Sequence, residues 1–489
     1  MNIVLATAEA APFAKAGGLA DIAQSLPTEW KKHGQNPIVI MPKYGNMDIH
    51  RYGFKPTNLI LNVQMSWWME YGHLWYGTFP DTDVPVYLIE NADYFNRPGI
   101  YGYPDEYPDN DRRYIFFSKA VFEAIKAINF VPDIIHAHDF HTAFTMAFLK
   151  SFYVHDPRFS NTAGIYTIHN LAYQGWFNPK RAMELSGLGM ENYFSGSWFE
   201  HLGTVNAMKV GIMFADKITT VSPNYANEIR MSYFSEGMQG PLNERGGDLV
   251  GILNGVLYSE WSPEMDNLIY KKYNSQNLKI KRENKLAFLR EHGIGDGDNP
   301  DTPLFGMVSR LAEQKGIDLL TWRLEEFLAQ KSIRFTLLGT GESKYVDYFK
   351  YLEWKYPGKA LIHIGYDNDI AHKILAASDF LMMPSRFEPC GLTQMYAMKY
   401  GTIPVVRMTG GLVDSVHEYD YPSGTGTGFT FFQYNADDMS YAMRRAISVF
   451  AENPHWDIIR KNAMAMDYSS SRTAMEYLKV FNWALEKKR

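Results

Sequence analysis

Glu388 lies in the stretch SRFEPCGLTQMYAMKYG (385–401), beside Pro389, Gly391 and Cys390, the one cysteine of the chain. Pro389 and Gly391 set a turn, residues 392–400 carry helical periodicity, and Gly401 is placed to cap the helix end. The first amides of such a helix, around Gly391, Leu392 and Thr393, attract anions, phosphate above all. A carboxylate just before that start cannot bind phosphate, but it can accept hydrogen bonds from neutral hydroxyls. The pair suits a sugar linked to a diphosphate. Taken alone, Glu388 also reads as a capping carboxylate on an ordinary loop. Cys390 has no histidine nearby in sequence and reads as a small packing and backbone position, not a nucleophile.

The N-terminal stretch NIVLATAEAAPFAKAGGLADIAQSLP repeats the device, with Lys15, Gly17 and Gly18 ahead of a helix. It is neither a Walker loop nor a Rossmann fingerprint, and GTGES (339–343) lacks the third glycine. In VSRLAEQKG (308–316), Arg310 and Lys315 stand at a strand end and its loop, where two cations neutralise charge growing on a departing diphosphate, or are simply surface charges. HAHDFH (136–141) is dense in metal-ligand types. No distant ligand set completes it, so it reads better as a buried hydrogen-bonding cluster. The acid triplets DND (109–111) and DGD (296–298) sit in turn-rich, solvated stretches.

These groups need elements to position them. Short apolar runs recur at 2–7, 37–42, 84–90, 133–138, 164–169, 217–222 and 249–254, then at 304–310, 334–339, 361–365, 380–385, 403–408 and 428–432. Amphipathic helical stretches alternate with them, which predicts two doubly wound α/β domains built on parallel sheets. A boundary falls at NGVLYSEWSPEMDN (254–267), and the tail from Ser469 reads as a long terminal helix. Open parallel sheets bind ligands beyond their strands' carboxyl ends, so the expected site is a cleft lined by loops of both domains.

Composition excludes several classes. Hydrophobic content of 46% and charged content of 21% describe a globular chain, and 489 residues exceed one ordinary core. A net charge of −6 argues against a general grip on nucleic acid or anionic membrane. One cysteine forms no internal disulfide, and the opening NIVLATAE carries no signal-peptide pattern, which points to the cytoplasm. Tyr outnumbers Phe, 32 to 30, which suits surfaces that meet sugars or bases.

Taken together, KAGGLAD (15–21), HAHDFH, TIHNLAYQG (167–175), ILNGV (252–256), VSRLAEQKG, IGY (364–366), PSRFEPCGLTQ and TGGLVDSV (409–416) resemble the bacterial glycogen synthase and starch synthase family. These are retaining glucosyltransferases of the GT-B type, with two Rossmann-like domains facing across a deep cleft. The resemblance implies an acceptor (glucan) domain at 1–255, a nucleotide-sugar domain at 256–467, and a helix at 468–489 that crosses back to the first domain. It implies transfer of glucose from ADP-glucose to the non-reducing-end 4-hydroxyl of an α-1,4-glucan, with no metal or other cofactor.

By the same resemblance, Lys15, Gly18, Arg310, Lys315 and the amides of Gly391, Leu392 and Thr393 hold the diphosphate. Glu388 holds the glucose hydroxyls, assisted by backbone at Cys390 and Gly391. Asp139, His169 and Asn254 line the sugar pocket, Tyr366 stacks on adenine, and Glu9, Phe95 and Phe140 meet the acceptor. The phosphate itself takes the acceptor's proton, so no protein nucleophile is needed. Double displacement would require a second carboxyl about 5 Å from the first. The chain departs from the family pattern at Ala16, where Thr is usual, at Phe140, where Trp is common, and at Tyr396, where related transferases carry a second glutamate. Two alternatives stay open: a related transferase using UDP-glucose or another acceptor, and an inactive glucan-binding homologue. A phosphorylase and a dinucleotide oxidoreductase lack support, the second for want of its glycine fingerprint.

Overall fold

A computed structural model describes residues 1–102, 106–294, 301–330 and 332–488. The chain divides into two compact units, Met1–Gly255 with Ser470–Arg489, and Val256–Ser469.

The first unit contains β1 (Asn2–Ala6), β2 (Asn36–Pro42), β3 (Lys55–Met65), β4 (Trp68–Thr78), β5 (Pro85–Glu90), β6 (Ile134–His138) and β7 (Ala163–Ile168). The short strands β8 (Trp176–Phe177), β9 (Glu200–His201) and β10 (Thr204–Asn206) form a separate small sheet, and β11 (Lys217–Thr220) and β12 (Leu249–Gly251) rejoin the main one. The main sheet runs β12-β11-β7-β6-β1-β2-β5-β4-β3. Its seven Val- and Ile-rich strands from β12 to β5 are parallel, whereas β4 and β3 add antiparallel at one end. These two strands are an antiparallel addition to the parallel sheet that the apolar runs predict. β3 and β4 alternate buried and open residues because a helix, Asn110–Ala127, covers only one of their faces, with Lys119 Nζ donating to the Gln64 carbonyl. The final helix, Ser470–Lys488, packs on the helix Gly18–Lys32. Trp30 Nε1 donates to the Ala474 carbonyl at 3.3 Å, with the Phe481 ring 5.2 Å from the Trp30 ring.

The second unit contains β13 (Leu304–Val308), β14 (Arg334–Gly339), β15 (Ala360–Ile364), β16 (Phe380–Met383), β17 (Ile403–Arg407) and β18 (Phe429–Phe431). They form one parallel sheet in the order β15-β14-β13-β16-β17-β18. The boundary segment packs into this unit. Asp266 Oδ2 accepts from His372 Nδ1 at 2.8 Å and from the Tyr400 hydroxyl at 2.5 Å. Trp261 stacks on His372 at 3.7 Å and on Tyr396 at 4.2 Å, so the residue standing in place of a second glutamate is a packing aromatic.

Lys285, on the helix Lys279–Glu291, is buried against Asp379 at 2.5 Å, and Asp379 also accepts the Leu304 amide. Removing one member of such a pair leaves the other as an uncompensated buried charge. Asp379→Ala should destabilise the second unit by about 3–5 kcal/mol. Urea unfolding should show a lowered midpoint, and an unchanged midpoint would contradict it.

Candidate functional site

In the second unit the strand order reverses where β13 lies beside β16, and ligands of open α/β sheets gather at such a point. Lys315 stands on the short turn Glu313–Lys315 after β13, and Glu388 follows β16. Lys315 Nζ donates to Glu388 Oε2 at 2.7 Å, and Ser385 Oγ donates to the same oxygen at 2.9 Å. Glu388 is only 5% exposed, so its charge needs that cation. Both of these bonds fall on Oε2 and neither on Oε1. The Arg386 amide donates to the Gln314 carbonyl, and Gln314 Nε2 donates to the Phe387 carbonyl, so the two loops hold each other.

Two glycines make that contact possible. A Cβ on Gly316 (φ 70°) would stand 2.0 Å from the Pro384 carbonyl oxygen, and one on Gly410 (φ 49°) 1.8 Å from the Glu388 carbonyl oxygen. Arg310 is exposed and donates to Gln314 Oε1 at 3.3 Å. The helix Thr393–Lys399 begins without a side-chain cap, and Gln394 Nε2 ties its start to the carbonyls of Cys390 and Gly391. Arg310, Lys315, Glu388 and Cys390 to Thr393 are thus carried on neighbouring loops. Tyr366, after β15, is 81% exposed and presents a free flat face.

In the first unit the order reverses where β1 lies beside β6. Asp139 follows β6 in a left-handed conformation (φ 54°), a strain of about 1–3 kcal/mol. Its Oδ1 accepts the His169 amide at 2.8 Å. Burial pushes the Asp139 carboxyl up to about 7, against the pull of the His169 and Asn170 amides. His169 Nε2 meets His138 Nδ1 at 2.8 Å, and burial lowers His169 to about 3 and His136, His138 and His141 well below their ordinary range. HAHDFH is therefore a set of buried neutral imidazoles. Asn254 Oδ1, His138 Nε2 and His141 Nδ1 are buried without a hydrogen-bond partner, as are the Ser118, Thr145 and Thr336 hydroxyls elsewhere in the fold.

The structure places the residues expected at the acceptor as follows. Phe95 is fully buried among the rings of Tyr44, Phe116 and Phe117, and apolar packing leaves it no surface for a sugar. Phe140 is likewise buried, 3.7 Å from the His141 ring and edge-on to Tyr114. Glu9 braces the glycine loop: Oε2 accepts the Ala16 amide at 2.5 Å and the Gly17 amide at 3.0 Å, and Oε1 accepts the Tyr101 hydroxyl. Lys15 is paired with Asp21 at 2.7 Å, just inside the helix that Gly18 opens. Asp109 pairs with Arg97 and Asp111 with Arg181, so DND is spent on ion pairs, while DGD (296–298) lies outside the described residues.

The sequence reading missed Ser385 and Tyr101. Ser385 is three residues from Glu388, in the stretch that drew attention, but only the turn shows its hydroxyl on the carboxylate. Tyr101 is 92 positions from Glu9, with no local signal linking them. A hollow of about 890 Å³ lined by Lys31, Arg51, Tyr52 and Asp83 opens at the opposite edge of the sheet, by the end of β4, away from these residues.

The raised Asp139 carboxyl carries a stability consequence. Its folded value, about 7, exceeds the ordinary 3.8, so the fold disfavours the ionised form; the penalty is absent below about pH 4 and full above about 7. Asp139→Asn should therefore raise the melting temperature at pH 8 and not at pH 4. An equal shift at both would contradict the assignment.

The family described as "Starch synthase catalytic domain" matches residues 2–244, and "Glycosyl transferases group 1" matches 295–459. A glycogen synthase of Bacillus cereus is 40% identical over 486 residues, covering 99% of this chain and all of the relative. One of Clostridium novyi is 41% identical over 488 residues, covering both chains fully. The catalytic domain of starch synthase IV from Arabidopsis thaliana, solved with ADP and acarbose, superposes with a TM-score of 0.89 at 30% identity, covering 99% of each chain. Sucrose-phosphate synthase from Thermosynechococcus elongatus shares the fold, with a TM-score of 0.60 at 14% identity and 99% of each chain covered. The chain has the two-domain α/β GT-B fold, and it belongs to the glycogen synthase and starch synthase family.

Proposed function

We propose that the chain transfers glucose from ADP-glucose to the non-reducing-end 4-hydroxyl of an α-1,4-glucan, with retention of anomeric configuration. The observation that carries this reading is the cluster of Lys315, Ser385 and Glu388 beside an uncapped helix start. Its cation and amides suit a diphosphate, and its buried carboxylate suits the hydroxyls of the attached sugar. ADP as the nucleotide is supported by the starch synthase structure solved with ADP, and by the exposed Tyr366 ring.

In the proposed reaction the bond from the anomeric carbon to the diphosphate oxygen breaks, and its electron pair leaves on ADP. Lys315, Arg310 and the amides around Gly391 to Thr393 stabilise that growing negative charge. The glucan 4-oxygen bonds to the anomeric carbon on the face the diphosphate leaves, and its proton passes to the departing phosphate oxygen. Glu388 Oε1 accepts hydroxyls of the moving glucose. Asp139, His169 and Asn254 of the first unit are assigned to the sugar, and Lys15 and Gly18 to the diphosphate. A neutral His169 adds no repulsion to the positive charge that develops on the sugar ring. No metal takes part.

Incubation with maltooligosaccharide and a chelator should show chain extension from ADP-glucose and much less from UDP-glucose. Equal use of both, or dependence on a divalent cation, would contradict the donor assignment. Glu388→Gln should fold normally and lose kcat by on the order of 100-fold or more. A wild-type rate would remove Glu388 from the site.

A further inference from the structure

Three consecutive residues of the turn after β13 meet three consecutive residues of the loop after β16, each pair 73 positions apart. Glu313 forms an ion pair with Arg386 at the exposed rim. Gln314 Nε2 donates to the Phe387 carbonyl at 3.3 Å, and Lys315 Nζ donates to Glu388 Oε2 at 2.7 Å. A return bond from the Arg386 amide to the Gln314 carbonyl, at 2.9 Å, fixes this register. The neighbouring carbonyls of the Glu388 loop are taken from β17 and the turn beyond it. Arg407 Nη1 donates to the Arg386 carbonyl at 2.7 Å, and the Gly411 amide donates to the Glu388 carbonyl at 3.1 Å. The Phe387 carbonyl is left to Gln314.

Gln314 alone among the three also holds Arg310. Its Oε1 accepts Arg310 Nη2 at 3.3 Å, and among the described residues the guanidinium has no other side-chain hydrogen bond and no ion pair. Lys315 is committed to Glu388 and Lys15 to Asp21, whereas the charge of Arg310 is oriented by a neutral acceptor and stays uncancelled. A guanidinium only donates and a carbonyl only accepts, so a bridge between them needs one group that does both. A side-chain amide of glutamine's length meets that need. A carboxylate in its place would cancel the Arg310 charge and repel the Phe387 carbonyl, an ammonium would repel Arg310, and a thioether would hold neither.

We infer that Gln314 is a positioning residue of the transfer. It aims the Arg310 guanidinium at the departing diphosphate and locks the Glu388 loop at Phe387, so one neutral side chain couples the grip on the diphosphate to the grip on the glucose. The inference rests on the proposed transfer from ADP-glucose, and it names a residue that acts through Arg310 and Glu388 without touching the substrate.

Two double-mutant cycles on the full-length chain test it, built on Gln314→Met, which keeps the side-chain volume and removes both of its hydrogen bonds. In calorimetric titration Gln314→Met should weaken ADP binding about fivefold, the scale of one hydrogen bond. In the Arg310→Ala background it should add less than about twofold. In extension of maltooligosaccharide from ADP-glucose, Gln314→Met should lower kcat about tenfold, and by less than about twofold further in the Glu388→Gln background. Its urea midpoint should match the wild type. Wild-type ADP affinity and kcat in Gln314→Met overturn this inference alone, as do losses that multiply in full in either cycle. A lowered urea midpoint for Gln314→Met assigns the residue to the fold and also overturns it. A wild-type chain that binds no ADP, or extends no glucan from ADP-glucose, overturns the proposed function and the inference with it.

Discussion

A carboxylate taken out of water must be matched by a fixed positive charge or by several hydrogen bonds. At Glu388 both are present, from Lys315 and Ser385, and much of the second unit serves that pairing. Lys315 reaches Glu388 because Gly316 lets its turn lie directly on the Pro384 carbonyl, and the carboxylate loop is held from behind by Gly410. Parallel strands β13 and β16 bring residues more than seventy positions apart within hydrogen-bond distance. Trp261 stacks on His372 and on Tyr396 of the helix at 393–399, which packs that helix against the boundary segment.

The first unit solves a different electrostatic problem. Its histidines are stacked and buried, His136 and His138 with ring centres 4.1 Å apart, and burial keeps them neutral. Neutral imidazoles can hold a sugar without opposing positive charge at its anomeric centre. The strain at Asp139 and its raised carboxyl are the costs of burying that carboxyl beside them.

The parallel strands were legible because each is a continuous apolar run covered on both faces, a pattern that needs no partner information. β3 and β4 escaped notice for the opposite reason. One face is open, so KPTNLILNVQM alternates, and WMEYGHLWYGT carries exposed aromatics that break the usual match of apolar with buried. Lys315 and Glu388 were legible because loops after parallel strands converge at a switch point. The burial of the Phe95 and Phe140 rings is not legible, because an aromatic's identity does not reveal how much of its ring the core covers. The partners of Glu9, the amides of Ala16 and Gly17 and the Tyr101 hydroxyl, are set by tertiary folding and leave no local signal in the sequence.

The central claim is that the Lys315 ammonium serves both the buried Glu388 and a nucleotide diphosphate. Calorimetric titration of ADP into the wild-type chain and Lys315→Gln tests it without catalysis. The account predicts a loss of ADP affinity of at least about tenfold, the scale of one charge-assisted phosphate contact, with glycogen binding unchanged. Equal ADP affinity in the two proteins would contradict it.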